Sequence, residues 1–217
     1  KNLNVSDELL TDDGFKNWLA ATGPRTELYL YHFGHITETG LEALAGMNLE
    51  SLTLPLMLRT DLGLKHFVAA TKPRPVLSLS QWRITDRGLS ELAGRTEATY
   101  LDLRWTGVTD EGLKHLANMK ELKELQLGRT GVTDAGIAHL TGLTNLEILR
   151  LGTKYVKDGG LKHLAGLKKL KSLGLYESHV SDVGAKELAK LHQLQELNLG
   201  YTRLMDAGVK DIATLPN

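Results

Sequence analysis

The chain has 217 residues, with 26 lysines and arginines, 26 aspartates and glutamates, and no cysteine. Zero net charge argues against a nucleic-acid-binding protein, which is expected to carry a basic surface, and the lack of cysteine excludes disulfides and thiolate zinc sites. No apolar run approaches the ~18 residues of a membrane-spanning helix, so we expect no membrane insertion in this segment. Because the sequence opens at Lys1 without methionine, we expect that a signal or an upstream domain was removed.

The first hundred residues contain an irregular series of predicted strand–helix units. Alternating leucines predict half-buried strands that begin near Leu3, Leu28, Leu52 and Leu77. A glycine near each predicted helix start is separated from the next by 26, 23 and 25 residues, at Gly14, Gly40, Gly63 and Gly88. Pro55 lies where a strand needs a backbone N–H, so we expect its strand to be short or distorted.

From residue 101 onward the units become regular. The sequence LDLRWTGVTDEGLKHLANMKELKE begins at Leu101 and recurs from Leu125, Leu149 and Leu173, and an unfinished copy starts at Leu197. The leucine pair therefore advances by 24 residues each time, a period typical of stacked repeat proteins. We predict a single domain of about nine repeats over residues 1–217, irregular over 1–100 and regular over 101–217.

Each unit is predicted to form a strand, a loop, a helix and a return. Leu125, Leu127 and Val132 are expected to point inward. Thr133 and Asp134 are then expected to start a helix, the threonine as its cap and the aspartate at the positive end of the helix dipole. One unit cannot bury its leucines alone, so neighbours must stack. Strands lie about 4.8 Å apart and helices about 8–10 Å apart, which predicts a curved α/β solenoid with a parallel sheet on the concave face and helices on the convex face.

The regular units resemble the leucine-rich repeat family in its 24-residue bacterial form. The resemblance rests on the LxL pair, a polar residue three positions later, and the sequence V-T-D-x-G-L-x-x-L. It implies a right-handed β/α solenoid, or horseshoe, that usually recognises proteins on its concave sheet. The polar position is held by Thr106, Thr130, Ser178 and Thr202, but by Lys154 in one repeat. We therefore expect a ladder of side-chain hydrogen bonds to be interrupted at Lys154.

Two ladders of ionisable residues are candidates for metal sites. One position of the repeat is histidine at His66, His115, His139 and His163. Helices about 8–10 Å apart bring such side chains together at best in pairs, whereas structural zinc sites need four ligands on one ion. The aspartates at the helix starts are explained by helix capping. The sequence also lacks the common nucleotide-binding and catalytic motifs, so we predict no cofactor, no metal and no enzymatic activity.

The residues predicted to face outward from the sheet supply the candidate binding site. Folding does not require exposed aromatic side chains there, and tyrosine, tryptophan and arginine dominate binding hot spots. We predict a partner-binding site on the concave face from Trp82, Asp102, Arg104, Trp105, Arg129, Arg150, Tyr176 and Tyr201. The three arginines follow successive predicted strands, so we expect a local excess of positive charge and a partner that offers carboxylates and an apolar anchor. Alternatively, the aromatic side chains stack on each other and bind nothing.

The preferred functional hypothesis is a non-enzymatic scaffold that binds a protein partner, not a nucleic acid. One alternative is the substrate-recognition part of a larger enzyme, such as a ubiquitin-ligase-type effector or a kinase. Another is a glycan-binding module, which the outward tryptophan and tyrosine side chains would suit. A secreted or cell-envelope location is preferred to the cytoplasm, and the sequence leaves the identity of the partner and the oligomeric state open.

Overall fold

The computed structural model describes residues 11–31 and 33–215, so the strand predicted at Leu3 lies outside the described residues. The chain divides into two compact units, residues 1–72 and residues 73–217. The single domain expected over residues 1–217 remains a prediction. None of the helices in the described parts of the chain is long and apolar enough to cross a membrane.

The first unit contains a two-stranded parallel sheet and three helices. Its elements are α1 (Asp12–Thr22), β1 (Glu27–Tyr29), α2 (Glu38–Leu41), β2 (Ser51–Thr53) and α3 (Asp61–Ala70). Leu28 of β1 lies opposite Leu52 of β2, and both are buried. Pro55 follows β2 and precedes a 3₁₀ turn at Leu56–Leu58. The expected shortening of β2 is therefore not seen, because Pro55 lies outside a strand whose three residues equal those of β1.

The second unit contains a six-stranded parallel sheet whose strands follow each other in sequence order. The strands are β3 (Val76–Ser78), β4 (Tyr100–Asp102), β5 (Glu124–Gln126), β6 (Ile148–Arg150), β7 (Ser172–Gly174) and β8 (Glu196–Asn198). The helices are α4 (Asp86–Leu89), α5 (Asp110–Leu113), α6 (Asp134–Ile137), α7 (Asp158–Leu161), α8 (Asp182–Leu188) and α9 (Asp206–Ile212). Helices α4 to α7 are single turns that continue as 3₁₀ turns. This alternation of strand and helix around a parallel sheet confirms the predicted α/β class.

The core of the second unit is built from the leucine positions of the repeat. Leu125, Leu127 and Val132 have no solvent exposure, and neither have Ile137 and Leu140 from the following helical turns. The strand register places the first leucine of each repeat opposite the first leucine of the next repeat, as for Leu101 and Leu125. One stack of leucines therefore runs through consecutive repeats, which is how units too small to fold alone share a core.

The aspartates at the helix starts connect neighbouring repeats, a role that helix capping alone did not predict. The backbone N–H of Thr133 donates to Asp110 Oδ1 at 2.8 Å, and the Thr133 hydroxyl donates to Asp110 Oδ2 at 2.7 Å. The same threonine oxygen accepts the N–H of Ala135, so its predicted capping role is confirmed. Asp86 and Asp158 contact the following repeat in the same way, through Thr109 and Ser181. Each of these carboxylates thus links the start of its own helix to the start of the helix in the following repeat.

The helix-start glycines make room for these carboxylates. A Cβ atom built on Gly136 would lie 2.2 Å from Asp110 Oδ1, and one on Gly184 would lie 2.4 Å from Asp158 Oδ1. Such distances are far inside normal contact, so a side chain at these positions would displace the carboxylate. The period of glycines in the sequence therefore reflects close packing between repeats.

The polar position after each strand is occupied throughout the regular repeats. The hydroxyls of Thr106 and Thr130 donate to the carbonyls of Leu103 and Leu127 at 2.7 Å. In the repeat that begins at β6, Thr153 takes the buried position and donates to the carbonyl of Thr130 at 3.2 Å. Lys154 is exposed instead. The within-repeat series of hydroxyl-to-carbonyl bonds is therefore interrupted at this repeat, as expected, because Lys154 points outward and Thr153 bonds to the preceding repeat instead. In the following repeat the Ser178 hydroxyl is buried without a hydrogen-bond partner among the described residues.

Candidate functional site on the sheet face

The outward side chains of β3 to β8, together with the residues that directly follow each strand, form a surface that we call the sheet face. The strand register aligns these side chains in rows. One row holds Asp102, Gln126 and Arg150 on consecutive strands. A second row, one residue before the first leucine of each strand, holds Glu124, Ile148, Ser172 and Glu196. This second row was not included in the predicted site, although the same alternation predicts that it faces outward.

The residues that follow the strands project because their backbone turns sharply. Left-handed backbone conformations with φ of 58–64° occur at Gln81, Trp105, Arg129, Glu177 and Tyr201. The N–H of Trp105 donates to the carbonyl of Gly128 at 3.1 Å, and the N–H of Arg129 donates to the carbonyl of Gly152 at 2.8 Å. These bonds to the next repeat hold the turn, and the side chains leave the sheet. Trp105 is 58% exposed and Tyr201 is 79% exposed.

Trp82 does not belong to this surface, and its predicted role is wrong. Only 7% of Trp82 is exposed, because it occupies the inward position that Thr106 and Thr130 hold in later repeats. Gln81, one residue earlier, is the residue aligned with Trp105. The two tryptophans therefore differ by one position in the repeat, and that position decides between core and surface.

Asp102 is also buried, at 2% exposure, and its carboxylate holds Arg104. Arg104 Nε lies 3.0 Å from Asp102 Oδ1, and Nη2 lies 2.7 Å from Oδ2. The Arg104 backbone N–H also donates to Oδ1. Hydrogen bonding to Asp102 raises the pKa of Arg104. Burial, followed by the charges of Asp102 and Glu124, raises the pKa of Tyr100. The structure thus changes the role predicted for Asp102, from contacting a partner to orienting Arg104.

Each of the three arginines on the sheet face is ion-paired, which contradicts the expected excess of positive charge. Arg104 pairs with Asp102, Arg129 with Glu177, and Arg150 with Glu196. The Arg150–Glu196 distance is 3.1 Å, and Arg150 also donates to the hydroxyl of Ser172 at 2.7 Å. Glu196 belongs to the second row, which the predicted site did not include, and this is why the charge balance was misjudged.

Glycines form the floor between the aromatic side chains of the sheet face. Gly128 and Gly152 stand in the row of Arg104 and Tyr176, and neither has a side chain to cover the backbone. The Arg129–Glu177 pair spans this floor from the end of β5 to the end of β7. The guanidinium carbon of Arg129 lies 5.2 Å from the centre of the Trp105 ring. A continuous series of contacts therefore runs from Trp105 through Arg129 to Glu177.

At the far end of the sheet face, Tyr176 and Tyr201 meet edge to face with ring centres 5.1 Å apart. Both remain exposed despite this contact. The structure thus brings together Trp105 with Arg129, and Tyr176 with Tyr201, among the predicted site residues. The alternative that the aromatic side chains stack on each other describes only this tyrosine pair.

Comparison with known proteins agrees with this geometry. The family model described as "Leucine Rich repeat" matches residues 99–117, the stretch from β4 to the turn after α5. The chain thus contains a leucine-rich repeat over these residues. A sequence search of curated proteins gives no match.

Solved structures of two internalins from Listeria monocytogenes resemble this chain. Internalin C2 is 27% identical, with a TM-score of 0.54 over 82% of this chain and 81% of that chain. Another internalin is 21% identical, with a TM-score of 0.54 over 80% of this chain and 55% of that chain. The present chain thus spans about half the length of the second protein, and at this identity the likeness shows the fold alone.

The leucine-rich repeats present no arrangement of metal ligands in the parts of the chain that the structure describes. Within residues 11–31 and 33–215, no group of three or more histidine, cysteine, aspartate or glutamate side chains is placed to hold an ion. The sheet face instead combines exposed rings, paired charges and bare backbone. Such a surface can bind through burial of rings and planar hydrogen bonding.

Proposed function

We propose that this leucine-rich repeat chain is a non-enzymatic scaffold that binds a partner protein on its sheet face. The observation that carries the proposal is the exposure of Trp105, Tyr176 and Tyr201 at positions that the fold does not need to be aromatic. Trp105 and Tyr201 have the left-handed backbone that Gln81, Arg129 and Glu177 share at the same position of other repeats. This turn of the repeat directs the side chain outward, and the sequence places an aromatic ring there in two repeats.

The ion pairs support binding because they fix the side chains before a partner arrives. Fixing a side chain on association costs about 0.5–1.5 kcal/mol. The Arg104 guanidinium already makes two hydrogen bonds to Asp102, and Arg129 is held between Trp105 and Glu177. The side chains of Arg104 and Arg129 are therefore already largely fixed in the free protein, and binding a partner orders them little further.

The paired charges change the partner that we propose. Since all three arginines already have carboxylates, a partner rich in carboxylates gains less than was expected from the sequence. A partner can place apolar side chains on the Trp105 ring and on the Tyr176 ring, on either side of the Arg129–Glu177 pair that spans Gly128 and Gly152. Trp105 and Tyr176 follow strands separated by three strand spacings, or about 14 Å, the width of a protruding loop. We therefore propose a partner whose loop carries an apolar anchor with charges of both signs around it.

Affinity capture with paired variants tests this proposal. Trp105→Ala and Arg129→Ala should each weaken binding of a captured partner by about 2 kcal/mol or more, the size expected of a hot spot. Lys162→Ala is the control, because Lys162 lies on the helix side and is exposed. Titration calorimetry with the purified partner measures the difference, and circular dichroism checks that each variant is folded.

Equal affinity of the parent and both sheet-face variants would refute the sheet face as the binding surface. Binding of sugars on a glycan array, lost in Trp105→Ala, would replace the protein partner with a glycan. We also propose a bacterial protein, secreted or attached to the cell envelope. The likeness to bacterial leucine-rich repeat structures supports the bacterial part, and fractionation of the source cells tests the location.

A further inference from the structure

The repeat that begins at β6 departs from its neighbours in the loop before its helix. The preceding repeat reads R-T-G-V-T over residues 129–133, whereas this one reads T-K-Y-V-K over residues 153–157. Lys154, Tyr155 and Lys157 thus replace a threonine, a glycine and a threonine. Four of the five positions therefore differ between these two repeats. Later repeats also replace the glycine, by His179 and Arg203, so the feature that distinguishes this loop is its two lysines.

The changed loop loses a backbone hydrogen bond to the preceding repeat. The N–H of Gly131 donates to the carbonyl of Val108 at 2.8 Å, and the N–H of His179 donates to the carbonyl of Val156 at 2.9 Å. Tyr155 occupies the same position in the repeat between these two, but its N–H donates to the hydroxyl oxygen of Thr153 in the same loop, at 3.4 Å. A cleft of about 520 Å³ lies here, lined by Thr133, Asp134, Lys154, Tyr155, Lys157 and His179.

The same changes remove a hydrogen bond that stabilises the neighbouring repeats. Asp110 accepts both the N–H and the hydroxyl of Thr133, but Asp134 accepts only the N–H of Lys157, at 2.7 Å. A lysine has no hydroxyl with which to complete the pair. Met205 likewise replaces the threonine in the last repeat, so Asp182 accepts only the N–H of Met205. That loop contains no lysine. Local rules of a fold are typically broken at functional sites.

The cleft holds the ammonium groups of two lysines against one carboxylate, that of Asp134, so its positive charge is only partly balanced. Neither Lys154 nor Lys157 forms an ion pair with a carboxylate in residues 11–31 and 33–215, in contrast with the arginines of the sheet face. Lys154 Nζ lies 5.2 Å from the centre of the Tyr155 ring, and that ring is 48% exposed. The cleft therefore joins two free ammonium groups to one aromatic wall.

We propose that this cleft is a second binding site, for a glutamate-rich segment of a protein. The ammonium groups of Lys154 and Lys157 pair with the carboxylates, and the Tyr155 ring covers the methylene groups of the glutamates. None of the lining residues belongs to the sheet-face site, so the two proposals stand separately.

The available donors favour carboxylates over phosphate. Phosphate sites rely on several free backbone N–H groups, and those of Tyr155 and Lys157 are already bonded to Thr153 and Asp134. The Asp134 carboxylate would also repel a dianion more strongly than a single carboxylate. A flexible chain of glutamates can place its charges on the lysines and away from Asp134.

Fluorescence anisotropy with labelled hexaglutamate at low ionic strength tests the site, with labelled hexaglutamine as the neutral probe. The main variant combines Lys154→Thr, Tyr155→Gly and Lys157→Thr, which restores the residues of the preceding repeat at these three positions. It should bind hexaglutamate at least tenfold more weakly, as expected for the loss of charge-assisted contacts. Its melting temperature should not fall, because the hydroxyl introduced by Lys157→Thr can donate to Asp134. Lys162→Ala is the matched control and should bind as the parent does.

A charge-reversed variant, Lys154→Glu with Lys157→Glu, keeps the test decisive if the triple variant folds poorly. It should lose hexaglutamate binding and gain binding of labelled hexalysine. The proposal is overturned if the parent does not bind hexaglutamate, or if the charge-reversed protein binds it equally well. Sulfate that displaces the peptide at equal concentration of charge would also overturn it, because the cleft would then be a site for small oxyanions.

Discussion

At the scale of single residues, one position in the repeat decides whether a side chain is buried or presented. Trp82 and Trp105 both follow a strand, but Trp82 stands one position later in its repeat and is buried. Trp105 has a left-handed backbone and is exposed. The alternation of the strand ends at these residues, so a period of two no longer predicts direction. Comparison of aligned repeats could have separated the two, since Trp82 aligns with Thr106 and Thr130.

Hydrogen bonds and ion pairs on the sheet face shift the pKa values of the groups involved, and the pKa of Glu196 can be measured to test this. Hydrogen bonds from the Ser172 hydroxyl and then from the Arg150 guanidinium hold the pKa of Glu196 below its ordinary value. Ser172→Ala and Arg150→Gln should therefore each raise the pKa of Glu196 towards that value. Carbon-13 NMR titration of the carboxyl group measures it.

The sign of the effect on stability follows from the lowered pKa. The Arg150–Glu196 pair stabilises the folded state fully at pH values above the pKa that Glu196 has in the unfolded chain. This stabilisation is lost as the pH falls through the pKa of Glu196 in the folded chain, which is the lower of the two. The difference in unfolding free energy between the parent and Arg150→Gln should thus shrink in acid. The exposure of Glu196 keeps the difference small through solvent screening. An unchanged Glu196 pKa in both variants would show that the pair does not persist in solution.

At the scale of elements, the junction between loop and helix is where neighbouring repeats are locked together. Asp110 receives two hydrogen bonds from Thr133, and Gly136 leaves space for the carboxylate. The three residue types T, D and G recur in the sequence because each supplies one part of this contact. Capping explained the threonine, but the partner of the aspartate lies in another repeat and could be found only from the structure.

Gly136→Ala tests this junction. The new methyl group would lie 2.2 Å from Asp110 Oδ1, so the carboxylate must move and lose bonds to Thr133. Overpacking of this kind costs about 1–3 kcal/mol, and it should exceed the gain of up to about 1 kcal/mol that alanine brings to a helix. Urea denaturation should show a lower midpoint for this variant.

Gly166→Ala is the matched control, since nothing lies within 4 Å of a Cβ atom at that position. It should leave the midpoint unchanged or raise it. If Gly136→Ala is as stable as Gly166→Ala, the carboxylate contact does not constrain the glycine. The helix-start glycines would then need another explanation.

At the scale of the whole chain, the fold could be predicted from the sequence because it depends on a period. Leu101 and Leu125 are opposite each other in neighbouring strands for the same reason that they are 24 residues apart. The charge balance of the sheet face could not be predicted in this way. Arg129 pairs with Glu177 two strands away, a partner chosen by side-chain reach and by the glycines that leave the path clear. Periodicity places residues in rows but does not select partners between rows.

The stack of repeats also predicts how stability is distributed along the second unit. Repeats contact mainly their neighbours, so a repeat supported on both sides should open less often than one at the end of a sheet. Strand β8 is the last in the six-stranded order, and its leucines, Leu197 and Leu199, are partly exposed where Leu125 and Leu127 have no exposure. Local opening costs least where few apolar contacts are buried.

Amide hydrogen exchange of residues 1–217, followed by mass spectrometry, measures this difference. Strand β8 and helix α9 should exchange at least tenfold faster than β5 and β6. A tenfold difference corresponds to about 1.4 kcal/mol in the free energy of local opening. Leu127→Ala should reduce this contrast, because removal of a buried leucine costs about 2–5 kcal/mol and weakens the central repeats on which β8 depends. Leu215→Ala, at a partly exposed leucine beyond α9, should leave exchange in β5 and β6 unchanged. Uniform protection from β3 to β8 in the parent protein would mean that the second unit opens as one cooperative body, and nearest-neighbour contacts between repeats would then not set its stability.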